Sequence, residues 1–273
     1  MNKMIVAAVV ILISAGAFAQ KQQKPWIEWS KKEAQKILDD SAWSQTQVET
    51  DTSEMFYTPT ATTQTGTANN QGRGDQGATN QATNVTFRIR LFSARPIRQA
   101  YVRMLELEQA QPSEQAVAEK RRAWANLRAD DRIIVAVSYQ SPDRRYLGRV
   151  SQAFNSAVTA VLKNSTYLER KDGKRVFLSE YVPPSKDPFG ARFIFPRTID
   201  GQPFIAADSG AIRFHSEYEN KFALDSAGNP EGTTSRGATR QTNGTIQSQS
   251  PFKIKLDMKF KIADLMYNGE LEY

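Results

Sequence analysis

Two long polar tracts confine the folded core to the rest of the chain. Residues 58–84 are rich in Thr, Asn and Gln and contain no apolar side chain larger than Ala. Residues 226–250 have the same character, with Ile246 as their one large apolar residue. Segments of this composition bury too little apolar surface to offset the entropy that is lost on ordering. We therefore predict that both tracts are disordered, and that one domain over residues 85–273 contains the second tract as a loop.

The first residues have the pattern of a secretory signal. A basic residue, Lys3, precedes an apolar run at 4–13, and an Ala-x-Ala sequence ends at Ala19. The apolar run is too short to cross a bilayer comfortably. We therefore predict a signal peptide over residues 1–19 that is cleaved between Ala19 and Gln20. The mature chain is then expected in the periplasm or outside the cell, with no transmembrane span.

The composition excludes several classes of site. The chain has no Cys and one His, which rules out disulfides, cysteine nucleophiles, thiolate zinc sites and multi-histidine metal sites. The formal net charge is +7, from 36 Lys and Arg against 29 Asp and Glu. Acidic residues are interspersed among the basic ones, so we do not expect a nucleic acid as a partner. We expect no cofactor, and the sequence leaves the oligomeric state open.

Residues 20–57 are predicted to form a linker with a short docking helix. Ser30 followed by Glu33 makes a capping box, so a helix should begin near Lys31. We expect the helix to dock on the larger domain through one apolar stripe and three nearby tryptophans, which are Ala34, Ile37, Leu38, Trp26, Trp29 and Trp43.

The same segment carries a resemblance to known proteins. WIEWSKKEA at 26–34 resembles the start of a group of exported bacterial proteins that have a tryptophan-rich helix directly after the signal peptide. The likeness covers mainly this segment and, to a smaller extent, FSARPIRQA at 92–100. It implies export and carries no activity.

The remaining sequence changes from a helical to an alternating hydrophobic period. Helices are predicted near residues 96–105, 116–127 and 146–162. Strands are predicted at 85–91, 133–137, 192–195, 212–224 and 252–262, and KDGK at 171–174 predicts a hairpin with a type I′ turn. Helices mainly in the N-terminal half and an antiparallel sheet in the C-terminal half indicate an α+β fold.

The strand at 252–262 is expected to present one apolar and one cationic face. The cationic face comprises Lys253, Lys255, Lys259 and Lys261. If this strand pairs antiparallel with 211–224, its lysines lie opposite Glu217 and Glu219. We expect a surplus of positive charge on the outer side of this hairpin.

Two alternatives arise from the C-terminal strands. His215, Glu217 and Glu219 should share one strand face, where the two carboxylates could serve a glycan-directed hydrolase if the pKa of one were raised. His215 is also a candidate metal ligand, provided that another ligand comes from elsewhere. The alternation from Leu265 to Tyr273 resembles a terminal strand of outer-membrane proteins and gives the second alternative, an outer-membrane-associated β protein.

A run of arginines gives the candidate anion-binding residues Arg88, Arg90, Arg95 and Arg98. Arg95 and Arg98 fall in the first turn of a predicted helix, where a cation opposes the helix dipole. A bound anion would offset this cost, and so would an Asp or Glu of the same chain. The expected function is a non-enzymatic, envelope-associated binding or structural protein. Its basic surface patches would bind an anionic envelope polymer or another envelope protein.

Overall fold

The computed structural model describes residues 24–51, 83–109, 114–128, 131–142, 144–220 and 252–273. Its helices are α1 (Lys31–Asp39), α2 (Arg95–Glu108), α3 (Gln115–Asn126), α4 (Arg144–Ser156) and α5 (Thr159–Leu162). Its strands are β1 (Ser44–Asp51), β2 (Thr83–Leu91), β3 (Arg132–Gln140), β4 (Thr166–Arg170), β5 (Arg175–Phe177), β6 (Glu180–Val182), β7 (Ala191–Pro196), β8 (Thr198–Ile199), β9 (Gln202–Pro203), β10 (Ala211–Asn220), β11 (Phe252–Lys261), β12 (Met266–Tyr267) and β13 (Glu270–Leu271).

The predicted α+β class is confirmed. The predicted cleavage point between Ala19 and Gln20, most of the tract at 58–84 and the loop at 226–250 lie outside the described residues. Within the described segments, no helix combines the length and apolarity that crossing a membrane requires.

The strands form two main antiparallel sheets. The first sheet has the order β1-β2-β3-β7-β6, and the second has the order β11-β10-β4-β5. Two small hairpins, β8–β9 and β12–β13, lie outside them. Phe193 and Phe195 of the first sheet contact Phe214 of the second, with ring centroids 5.3 and 6.2 Å apart. The apolar core therefore lies between the two sheets.

Strand β2 shows how the first sheet divides its two faces. Its residues Val85, Phe87, Ile89 and Leu91 are buried and point to the second sheet and α4. The alternate residues Arg88 and Arg90 point to the opposite face, where Arg90 donates from Nε to the carbonyl oxygen of Leu38 in α1. The first sheet thus has an apolar side and a polar side that α1 and α2 cover.

The N-terminal helix is built as its sequence predicts. The Ser30 side chain accepts a hydrogen bond from the Glu33 amide, and the Glu33 carboxylate accepts one from the Ser30 amide at 2.6 Å. Ala34 and Leu38 are buried, as are Trp29 and Trp43, which confirms that this helix docks on the larger body. The following strand β1 was not expected from the sequence, and it pairs along its whole length with β2.

The predicted pairing of the last two long strands is confirmed. Strands β10 and β11 are antiparallel, and their register places Glu217 opposite Lys255 and Glu219 opposite Lys253. Because residues on these strands alternate between faces, the charged side chains all lie on the side away from the core.

Two sequence-based expectations are wrong in detail. The helix expected at 146–162 breaks between α4 and α5, and Val158 and Val161 are exposed rather than packed. Residues 265–273 do not form one terminal strand. They form the end of a short 3₁₀ helix and the β12–β13 hairpin, because Asn268 and Gly269 both have positive φ (50° and 80°) and reverse the chain there.

Candidate functional site

The outer face of the second sheet collects the predicted basic residues. We call it the basic face, and define it by Lys253, Lys255, Asp257, Lys259 and Lys261 of β11, Arg213, His215, Glu217 and Glu219 of β10, Tyr167 and Glu169 of β4, and Arg175 and Phe177 of β5. Six Lys and Arg stand against four Asp and Glu, so its formal charge is +2 with a neutral His. The predicted surplus of positive charge is present.

Three ion pairs neutralise part of this charge. Lys253 pairs with Glu217, and Arg175 pairs with Glu169. Arg213 forms a fork with Asp257, in which Nε donates to Oδ1 at 2.6 Å and Nη2 donates to Oδ2. A hydrogen bond from Arg213 is the main reason why the pKa of Asp257 lies below its usual value.

The other lysines of β11 keep their charge unpaired. Lys255, Lys259 and Lys261 are exposed. Among the residues that the structure describes, no carboxylate forms an ion pair with any of them. We call these three residues the cationic row. The sequence predicted four such lysines, and the structure removes Lys253 from the set by pairing it with Glu217.

The two glutamates do not have the electrostatics of an acid–base pair. The hydrolase alternative needs one carboxyl group whose pKa is raised. A hydrogen bond from Lys253 instead lowers the pKa of Glu217, which is therefore ionised at neutral pH. Lys253 in turn has a raised pKa, because Glu217 accepts its hydrogen bond.

His215 is held by an aromatic ring and a carboxylate. Its ring stacks on Tyr167 with centroids 4.9 Å apart, and its Nδ1 lies 3.6 Å from Oδ2 of Asp257. Across the described ranges, no group of three or more His, Asp and Glu side chains is placed to hold a metal ion. His215 is better described as a residue that packs on Tyr167 beside Asp257.

The four candidate arginines separate into two structural roles. Arg95 donates from its backbone amide and from Nε to Glu272, at 3.1 and 2.6 Å, and also pairs with Glu270. Burial opposes its charge, but the hydrogen bonds and charges of the two glutamates outweigh burial and raise the pKa of Arg95. Its acidic partner is therefore internal, one of the two alternatives that the sequence left open.

Arg98 has a capping role. It donates from Nη1 to the carbonyl oxygen of Trp124 at 3.3 Å and from Nη2 to that of Leu127, and its guanidinium group lies 5.9 Å from the Trp124 ring. These carbonyls end α3, where a cation is favourable. Burial lowers the pKa of Arg98. Arg95 and Arg98 therefore stabilise the fold, and they do not share a site with Arg88 and Arg90.

Arg88 and Arg90 converge on a carboxylate that the sequence did not single out. Oδ1 of Asp39 lies 2.9 Å from Nη1 of Arg88 and 3.8 Å from Nη2 of Arg90. Arg90 also donates from Nη1 to the Ser138 hydroxyl at 2.9 Å. The sequence carries no signal for this grouping, because Asp39, Arg88 and Ser138 come from three elements.

No family model, curated protein or solved structure matches this chain.

Proposed function

We propose that this protein is an exported, non-enzymatic component of a bacterial envelope that binds an anionic envelope polymer through the basic face. The observation that carries the proposal is the cationic row of Lys255, Lys259 and Lys261, which is exposed and has no acidic partner among the described residues. The net charge of +7 favours the same class of partner.

The spacing of the cationic row suits a repeating anion better than a single small one. Residues two apart on one strand face are separated by roughly 6.5–7 Å, since each residue advances about 3.3 Å. Lys259 and Lys261 are therefore neighbours, and Lys255 lies about twice that distance from Lys259. Lysine is a mobile point charge without the planar fork of arginine, so it tolerates many arrangements of anionic groups.

The strand that carries the row is fastened at its free edge. Gln47 of β1 donates from Nε2 to the carbonyl oxygen of Lys255 at 2.7 Å and accepts from the amide of Asp257 at 2.9 Å. These two bonds join the edge of the first sheet to the edge of the second. They satisfy backbone groups that an edge strand otherwise exposes, and they anchor the part of β11 that carries Lys255.

Sedimentation with envelope fractions tests the proposal. We expect the protein to pellet with insoluble envelope material at low salt and to be released at high salt, because exposed charges are screened beyond about 8 Å at physiological ionic strength. Binding that is insensitive to salt, or no co-sedimentation at low salt, would contradict it. Turnover of a glycan substrate that Glu217→Gln abolishes would favour the hydrolase instead.

A further inference from the structure

A second feature, on the opposite side of the first sheet, has the size of a small-molecule site. A cleft of about 430 Å³ lies between α1, α2 and the polar side of the sheet. We call it the arginine cleft. Its floor includes Arg88, Arg90 and Ser138, and its apolar walls include Leu38, Met104 and Phe189. Sites for small ligands commonly have volumes of about 300–1,000 Å³ and combine apolar walls with a few polar groups.

The floor of the arginine cleft carries more positive than negative charge. Among the described residues, Asp39 is the one carboxylate that forms an ion pair with Arg88 or Arg90, so these three groups of the floor sum to a formal +1. The Arg90 side chain is only 7% exposed. Burial, and then repulsion from Arg88, lower the pKa of Arg90 to about 10, although Asp39 opposes the shift. One further negative charge would therefore be stabilised here.

The hydrogen bonds on this floor are also incomplete. Nε of Arg88 is buried and has no hydrogen-bond partner in the described part of the chain. Oδ1 of Asp39 likewise lacks a hydrogen bond, although it lies 2.9 Å from Nη1 of Arg88, because the contact does not have hydrogen-bond geometry. Buried polar groups of this kind are usually satisfied in proteins. Of the two groups, the Arg88 N–H is the one that an acceptor such as a carboxylate could satisfy.

The apolar wall is fixed by the backbone. Phe189 contacts Tyr101 of α2 with ring centroids 4.6 Å apart, and the guanidinium carbon of Arg90 lies 5.8 Å from its ring. The next residue, Gly190, has a φ of 75°, and a Cβ there would lie 2.2 Å from the carbonyl oxygen of Val137. The backbone at Gly190 is therefore packed closely against β3, and this contact holds the neighbouring Phe189 at the cleft.

We infer that the arginine cleft binds a small organic anion with a single carboxylate and an apolar body. The carboxylate lies against Arg88, whose planar guanidinium group suits a carboxylate better than an ammonium group does. The apolar body packs on Leu38, Met104 and Phe189. This ligand differs from the polymer proposed for the basic face, which is on the second sheet.

The rim of the cleft limits the charge of the ligand. Glu108 lines the cleft and pairs with Lys31 at 3.0 Å, and its side chain is half exposed. Lys31 is already paired with Glu108, so the rim offers no unpaired cation between these two residues to a second negative charge on the ligand. A monoanion therefore fits the cleft better than a polyanion does.

Methyl NMR of the full chain labelled at methionine tests this site. Met104 lines the cleft, whereas Met258 lies in the second sheet and Met266 in the β12–β13 hairpin. The probes are N-acetyl-L-phenylalanine and its neutral amide, which have the same body. We expect a saturable shift of the Met104 signal with the acid, and binding of the amide weaker by roughly tenfold or more, the value of one charge-assisted hydrogen bond. Met258 and Met266 should not shift.

Variants separate the cleft from the rest of the surface. Arg88→Gln should weaken binding of the acid by about tenfold, and Leu105→Trp, which fills the cleft without removing a charge, should abolish binding of both probes. Arg213→Gln on the basic face is the matched control and should bind as the parent does, as should a variant with the cationic row changed to Gln.

No saturable Met104 shift, equal binding of acid and amide, or full binding by folded Arg88→Gln would overturn the inference. If Arg88→Gln does not fold, the acid–amide comparison in the parent protein still decides.

Discussion

At the scale of single residues, Gly190 is, among the described glycines, the one whose surroundings leave the least space for a side chain. Gly190 combines a φ of 75° with a backbone carbonyl oxygen 2.2 Å from the position of any added Cβ. Gly173 has a similar φ of 83°, but nothing lies within 4 Å of its added Cβ. Comparing alanine substitutions at these two glycines therefore separates the cost of the left-handed conformation from the cost of a steric clash.

We predict that Gly190→Ala lowers the free energy of unfolding by about 2–4 kcal/mol, from the left-handed conformation plus overpacking against the β3 backbone. Gly173→Ala should cost about 1–2 kcal/mol, because only the conformational term applies. Urea denaturation of both variants measures the difference. An equal loss of unfolding free energy in both variants would contradict the close contact between Gly190 and the carbonyl oxygen of Val137.

The capping box of α1 gives a prediction at the scale of one carboxyl group. The amide of Ser30, then its hydroxyl, then Lys24 stabilise the ionised form and lower the pKa of Glu33 from 4.5 to about 2. Because the folded-state pKa is depressed, the stabilisation is present above about pH 4.5 and is lost as the pH falls toward 2. A carbon-13 NMR titration of the Glu33 carboxyl should have a midpoint near 2. A midpoint near 4.5 would mean that the box does not persist in solution.

At the scale of elements, the sequence predicts strands and helices that bury one clear face. The register of β10 and β11 could be read from the strict alternation of apolar and charged residues, since a slip by one residue would bury the lysines. Strand β1 has no such signal, because its sequence SQTQVETD contains one large apolar residue, Val48, and that residue is exposed. Its strand structure depends on pairing with β2.

Turns and breaks show what local patterns miss. The hairpin at 171–174 is present, but Gly173 is its only residue with positive φ, so its turn is not the predicted type I′. Two other pairs do have positive φ at both positions, Asp200-Gly201 and Asn268-Gly269, and their Asp-Gly and Asn-Gly sequences are typical of such turns. At the break after α4, the Thr159 hydroxyl accepts a hydrogen bond from the amide of Tyr181 at 2.9 Å, a contact with a residue distant in sequence that no local pattern predicts.

Of the two candidate sites, the sequence predicts the basic face but not the arginine cleft. The basic face follows from one alternating strand, so its lysines could be named from the sequence, whereas the pairing of Lys253 with Glu217 needed the register. The arginine cleft joins α1, α2, β2 and β3, and its carboxylate, Asp39, is far from Arg88 in sequence. Such a grouping is tertiary and has no local pattern.

The link between the two sheets gives a prediction about an element. Gln47→Ala removes two hydrogen bonds to the β11 backbone and should destabilise the fold by about 1–2 kcal/mol. The amide of Asp257 should exchange faster with solvent in this variant, as measured by hydrogen exchange. Thr46→Ala, at an exposed neighbouring position of β1, is the control and should leave this exchange unchanged. Unaltered exchange in Gln47→Ala would show that the edge of β11 is held in another way.

At the scale of the whole molecule, the first and last described segments meet in one core. Trp43 donates from Nε1 to the carbonyl oxygen of Glu272 at 2.9 Å, and Tyr273 donates from its hydroxyl to that of Ile205 at 3.0 Å. The segment that was predicted as a linker with a docking helix thus contributes a strand and two buried tryptophans to the main body. The cationic row and the arginine cleft lie on opposite sides of this body, so their binding can be tested independently.

The most direct test of binding through the basic face compares two triple variants that have the same net charge. One carries Lys255→Gln, Lys259→Gln and Lys261→Gln, and the other carries Lys120→Gln, Lys163→Gln and Lys186→Gln at exposed lysines outside the basic face. Co-sedimentation with envelope fractions at low salt is measured for both and for the parent protein. We predict that the first variant stays in the supernatant and that the second pellets as the parent does. Equal losses in both variants would contradict it, because binding would then depend on total charge and not on the basic face.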